Sequence, residues 1–189
     1  MNKASPPPEV KAQRTMIEIN SLEMKTVVIK KMTANDWAAV KKIFESGIAT
    51  GISTFETTAP SWEKWNETHL PFSRLVALCN EEVVGWAALS PVSGRCVYGG
   101  VAEVSVYVAE NHKGLGIGKS LLQNLIGDSE SNNIWTLQAG IFSENIASIN
   151  LHKSVGFRVI GLREKIGKLK DTWKDHYILE RRSKIVGID

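Results

Sequence analysis

Eight residues, Lys113-Gly114-Leu115-Gly116-Ile117-Gly118-Lys119-Ser120, stand between a β-branched run and an apolar helical stripe formed by Leu121, Leu122, Leu125 and Ile126. A glycine turn from strand to helix gathers bare backbone N–H groups and the positive end of the helix dipole at one point, an arrangement suited to phosphate oxygens. Three pyrophosphate motifs compete for it. A GxxxxGK[ST] loop needs glycine at Lys113, and the dinucleotide fingerprint GxGxxG needs it at Lys119, so both fail on spacing. The coenzyme A loop Q/R-x-x-G-x-G/A fits, with Lys113 in place of Gln or Arg.

The residues on either side fit the same chemistry. In Ala102 to Ala109 strict alternation puts Glu103, Ser105 and Tyr107 on one strand face and Val104, Val106 and Val108 on the other, leaving one acid on the polar face. Some thirty residues beyond the loop, Asn145 begins a helix that carries Ser148, His152 and Lys153 and stops at Gly156-Phe157.

These segments need a frame to hold them. Thr26 to Met32 reads as a first strand, and Trp37, Val40, Ile43 and Phe44 as one face of a helix ending near Ser46-Gly47. A turn-rich stretch, Gly51 to Pro60, leads to a second helix capped by Ser61 and stopped by Pro71. Arg74 to Cys79 and Val83 to Leu89 form a hairpin, and Ile134 to Ala139 another strand. Phe157 to Leu162 and Trp173 to Leu179 close the sheet across a charged connection, Arg163 to Asp171. The expected fold is α/β: one domain over residues 25–182, a mixed, mostly antiparallel sheet flanked by helices. Residues 1–24 read as a loose extension and 183–189 as a tail.

Taken with Ser53-Thr54-Phe55-Glu56, Ala102 to Val108 and Gly161-Leu-Arg-Glu-Lys through Trp173, the glycine loop and the Asn145–Phe157 segment resemble the GNAT N-acetyltransferases, and among them the phosphinothricin and methionine sulfone acetyltransferase group. The resemblance spans Val27 to about Glu180. It implies the GNAT fold, acetyl-CoA as co-substrate with no metal, a small-molecule amine as acceptor, and a homodimer. It places a general base at Glu103 and pantetheine-binding backbone amides at Val106, Tyr107 and Val108. It also implies pyrophosphate contacts along residues 113–120 and pantetheine contacts at Asn145 and Ser148, with Lys153 near the phosphates. His152 stands where many acetyltransferases have Tyr, either to protonate the departing thiolate or to orient the amine. Phe55, Glu56, Arg95 and Tyr98 are expected at the acceptor, Arg95 as a clamp for an amino-acid carboxylate. Gly100, standing where an aromatic residue is common in the group, suggests a roomier pocket, and His69, His112 and His176 receive no role.

Composition narrows the field. With 23 Lys and Arg against 20 Asp and Glu the formal charge is +3, too small for a dedicated nucleic-acid binder. No apolar run is long enough to span a bilayer, and two isolated cysteines fit a reducing, cytoplasmic setting. The expected activity is acetyl transfer from acetyl-CoA to the primary amine of a small amino acid or analogue. The alternatives are another amine (a polyamine, an antibiotic or a protein N-terminus) and a non-catalytic acyl-CoA-binding module.

Overall fold

The computed structural model describes residues 13–19 and 23–188, with side chains from residue 26 onward. Twelve elements follow in order: β1 (Gln13–Ile19), β2 (Glu23–Lys31), α1 (Trp37–Ala49), α2 (Trp62–Thr68), β3 (Leu75–Cys79), β4 (Glu82–Pro91), β5 (Val101–Val108), α3 (Ile117–Ser131), β6 (Thr136–Phe142), α4 (Ile146–Lys153), β7 (Arg158–Leu169) and β8 (Thr172–Arg182). They build one eight-stranded sheet in the order β1-β2-β3-β4-β5-β6-β8-β7, antiparallel throughout except for β5 against β6.

The centre of the sheet is buried on both faces. Val84 to Leu89 are six consecutive buried residues on β4, the uninterrupted apolar run expected of a covered central strand. Leu75, Ala77, Ala87 and Leu89 face a core shared with Leu121, Leu122 and Leu125 of α3 and Ile149 of α4. Val76, Trp86 and Ala88 face the opposite way, onto Val40, Ile43 and Phe44 of α1 and Trp65 of α2. Among the described residues no helix is long and apolar enough to cross a membrane.

Three sequence expectations change. Within the stretch expected to be a loose extension, Gln13–Ile19 is a strand that pairs antiparallel with β2; residues 1–12 lie outside the described residues. The charged connection Arg163 to Asp171 is mostly strand: β7 runs to Leu169 and turns at Lys170-Asp171, with Lys170 at φ 53°. It is an outer strand with most of its side chains in solvent, where charged residues are at home. Helix α1 passes through Gly47 to Ala49; Gly47 is no helix stop but a close approach, since a Cβ there would stand 2.6 Å from Cδ1 of Tyr107.

The segment after β8 folds back onto the domain. Ser183 is buried, donates from its backbone N–H to the Trp135 carbonyl (2.8 Å) and from Oγ to Oε1 of Glu130 (2.8 Å), while Arg181 pairs with the same carboxylate.

Candidate active site

β5 and β6 pair over only three residues each, Val101 to Glu103 against Thr136 to Gln138, and then diverge. The edge of β5 from Val104 to Val108 opens on a cleft of about 670 Å³ that runs from the glycine loop to Glu103. Backbone N–H and C=O groups that a continuous sheet would have paired are thereby offered to a ligand.

One end of the cleft is the loop. Gly114 and Gly116 both have φ of 77°, a conformation costly to any residue with a Cβ, and nothing lies within 4 Å of where a Cβ would stand at either. Gly116 is the N-cap of α3, so the amides of residues 117 to 119 have no carbonyl partner inside the helix and face this end. Lys113, Ile117, Gly118 and Lys119 join the lining, and Lys113 also pairs with Glu110. Open glycines, free amides and two lysines fit a pyrophosphate, so the cleft suits coenzyme A on its own donors. Leu115 packs into the core, Ser120 is buried, and Lys153 is exposed at the far end of α4; none of the three lines the cleft.

The far wall comes from α4. Asn145 accepts at Oδ1 from the Ser148 amide (3.1 Å), capping the helix, and donates from Nδ2 to the Ile52 carbonyl (3.2 Å), tying α4 to the loop after α1. Ser148 and His152 line the cleft beyond it. Since a carbonyl only accepts, the 2.8 Å contact between His152 Nδ1 and the Ser148 oxygen fixes the proton on Nδ1. Nε2 keeps its lone pair and is buried without a partner among the described residues, beside the edge-on Phe157 ring at 5.1 Å. Burial lowers the imidazole's pKa, opposed by the bond to Ser148, so the ring is neutral at pH 7.

The acceptor end holds Glu103, exposed on β5, with Phe55 and Glu56 from the loop between α1 and α2. Phe55 meets Phe142 edge-on at 4.6 Å and presses on Gly167 of β7, so the early loop closes over the β7–β8 hairpin. Tyr107 supplies the floor. Its ring stacks on Trp86 (4.8 Å) and meets Phe44 (5.0 Å), and burial pushes its hydroxyl up to about 12, with a hydrogen bond from Thr54 opposing and the nearby Glu56 charge assisting.

Two expected acceptor residues are elsewhere. Arg95 and Tyr98 flank and form a short 3-10 turn (Cys96–Tyr98), are exposed, and do not line the cleft. The connection they belong to starts only after Pro91, where β4 ends, and lies beyond the last paired rungs of β4 and β5. Nor does Gly100 enlarge the pocket: a Cβ there would stand 2.0 Å from the Trp135 ring, and its carbonyl accepts from the Trp135 and Thr136 amides. In their place the cleft contains His176, from β8, and Phe142, from β6, neither anticipated. A glycine in mid-strand, Gly140, was the available signal, since it marks a close approach by a neighbour. The cationic side chains in the lining, Lys113 and Lys119, belong to the loop end, whereas Glu56 and Glu103 give the acceptor end a negative character.

Known proteins share this arrangement. Residues 38–157 match the acetyltransferase (GNAT) family. The chain is 30% identical to phosphinothricin N-acetyltransferase of Streptomyces viridochromogenes over 159 residues, covering 82% of this chain and 87% of that one. It is 30% identical to the L-methionine sulfoximine/L-methionine sulfone acetyltransferase of Salmonella typhimurium over 145 residues, 74% and 85% of the two chains. The crystal structure of a GNAT phosphinothricin acetyltransferase from Sinorhizobium meliloti, determined with acetyl-CoA, superposes with a TM-score of 0.78 at 26% identity, covering 86% of this chain and 91% of the other. With the strand divergence, the glycine loop and the Asn145 helix in place, the chain belongs to the GNAT family of acetyl-CoA-dependent acetyltransferases.

Proposed function

We propose that this protein transfers an acetyl group from acetyl-CoA to the primary amine of a small amino acid or analogue, of the phosphinothricin, methionine sulfone or methionine sulfoximine type, with Glu103 as general base. The observation that carries the reading is Glu103 as the one acid on the open face of β5, at the opposite end of the cleft from the glycine loop. The bound thioester supplies an electrophilic carbonyl. The chain's part is to hold it along the β5 edge at Val106, Tyr107 and Val108, anchor its phosphates at residues 113–119, and relieve the incoming ammonium of a proton at the Glu103 carboxylate. His152 orients the reacting groups, since its Nε2 carries a lone pair and no proton to give the leaving sulfur.

A second reading concerns only the acceptor. With Arg95 outside the cleft and both Glu56 and Glu103 in its lining, the acceptor end favours an amine without a carboxylate, such as a polyamine or a peptide N-terminus. Release of free CoA is measured against phosphinothricin, methionine sulfone, methionine sulfoximine, the common amino acids, spermidine and short peptides. The amino-acid reading expects turnover with the first three. Turnover confined to spermidine or peptides transfers the assignment to the second reading, and acetyl-CoA binding with no transfer to any amine overturns both.

β7 leaves Val159, Ile160, Leu162 and Ile166 exposed along an outer strand, an edge that a second copy of the chain would cover, in support of a homodimer. Cys79 and Cys96 are free thiols, in keeping with a cytoplasmic location.

A further inference from the structure

His176 and Glu103 approach each other over Gly140, and the reading above leaves the histidine unused. β8 carries His176 as the register partner of Phe142 on β6 and of Arg163 on β7, so its ring stands on the open face of the sheet, beside the next inward-facing position of β6. That position is Gly140. A Cβ there would lie 2.2 Å from Cε1 and 2.3 Å from Nε2 of His176, and 3.3 Å from Oε1 of Glu103. The backbone does not require glycine, since Gly140 is not among the residues of positive φ; the imidazole does. Phe55 and Phe142 hold the ring edge-on, with centroids at 6.2 and 5.9 Å. Glycine, two phenyl rings and the strand register therefore fix an imidazole with its Nε2 edge beside the carboxylate.

We propose that His176 is a positioning residue that acts through Glu103, steadying the carboxylate and carrying on the proton it takes from the acceptor. This rests on Glu103 as the base. In one turnover a C–N bond forms and a C–S bond breaks, and the nitrogen passes from ammonium to amide with the loss of two protons. The thiolate sulfur takes one and solvent takes the other. An imidazole edge beside the carboxylate gives that second proton a further acceptor on its way to solvent. The charged groups facing His176 are Glu103 from β5, Glu56 from the early loop and Arg163 from β7; Phe142 and Gly140 on β6 are uncharged. On its own strand Lys174 is paired with Glu144, and Asp175 accepts from the Lys165 amide (2.8 Å).

The test follows the His176 ring resonances by NMR in the full-length protein at one fixed pH, which needs no acceptor. Glu103→Gln replaces the group beside the ring and is expected to shift those resonances while the other histidines keep theirs. Gly140→Ala retains both side chains but evicts the ring from its seat, and it shifts the same resonances. Resonances unmoved in both variants overturn the proposal. Kinetics with the panel acceptor turned over fastest then separate the two claims. His176→Gln, which cannot titrate, is expected to lower kcat about tenfold and to shift the acid limb of the pH profile, with the KM for acetyl-CoA unchanged. A wild-type rate and profile in His176→Gln remove the histidine alone, whereas wild-type turnover in Glu103→Gln removes the base and this role together.

Discussion

A histidine kept neutral in a cleft needs desolvation and a carbonyl to fix its proton, and His152 has both. Its Nδ1–H donates to the Ser148 carbonyl one helical turn back, and the ring is buried against Phe157. Nitrogen-15 shifts at pH 7 are therefore expected to show the Nδ1–H tautomer, titrating below the ordinary 6.5 because burial disfavours the cation. An imidazolium or an Nε2–H tautomer at pH 7 contradicts this and restores His152 as a proton donor to sulfur. Residues of this kind differ in how far sequence reveals them. Glu103 was legible because alternation along one strand fixes its face, and Asn145 and His152 because one helix carries both. Arg95 and Tyr98 fall outside the lining of the cleft because a connection's path depends on where its strands end, and β4 ends at Pro91 while β5 starts at Val101. His176 was invisible because its place in the cleft arises from register with Phe142 and a close approach over Gly140 toward Glu103, a juxtaposition of three strands.

At the scale of elements, short helices need tertiary anchors, and α2 has one at its end. His69 stacks on Trp65 at 4.0 Å and bonds through Nδ1 to the Trp65 carbonyl at 2.8 Å, with Arg74 gathering the Leu70 and His69 carbonyls and Asn66 beside it. Burial lowers the His69 pKa from 6.5 to about 4, opposed by the bond to Trp65 and reinforced by the Arg74 charge. The unfolded chain then binds a proton that the folded chain refuses, so stability falls as pH drops from 6.5 toward 4 and levels off below. The loss is on the order of 3 kcal/mol at full extent. Denaturant melts from pH 7 to 4 are expected to show this slope, and His69→Gln to flatten it; an equal slope in the variant would place the acid sensitivity elsewhere. β7 was harder to read than α2. Its charged residues and its two glycines resemble a loop, and only pairing with β8 across the Lys170-Asp171 turn makes it a strand.

Across the whole molecule the active site is a consequence of one discontinuity. Among the described residues six of the seven strand pairs are antiparallel and keep the sheet continuous, but the single parallel pair separates after three rungs, and α3 and α4 are the next α-helices after the two diverging strands. The glycine loop thus stands at the end of β5 and the Asn145–His152 helix at the end of β6, facing each other across the opening. Order along the chain was enough to read this, because each motif follows its own strand. The anchoring of the C-terminal segment at Trp135 and Glu130 was not, since Ser183 hydrogen-bonds to residues some fifty positions earlier. Turnover and acetyl-CoA affinity in Glu103→Gln decide whether the cleft holds acetyl-CoA by its loop end and activates the acceptor at Glu103. A loss in kcat of about a hundredfold or more, the range of a general base, is expected with acetyl-CoA affinity unchanged. Turnover within a few-fold of wild type would rule Glu103 out as the base.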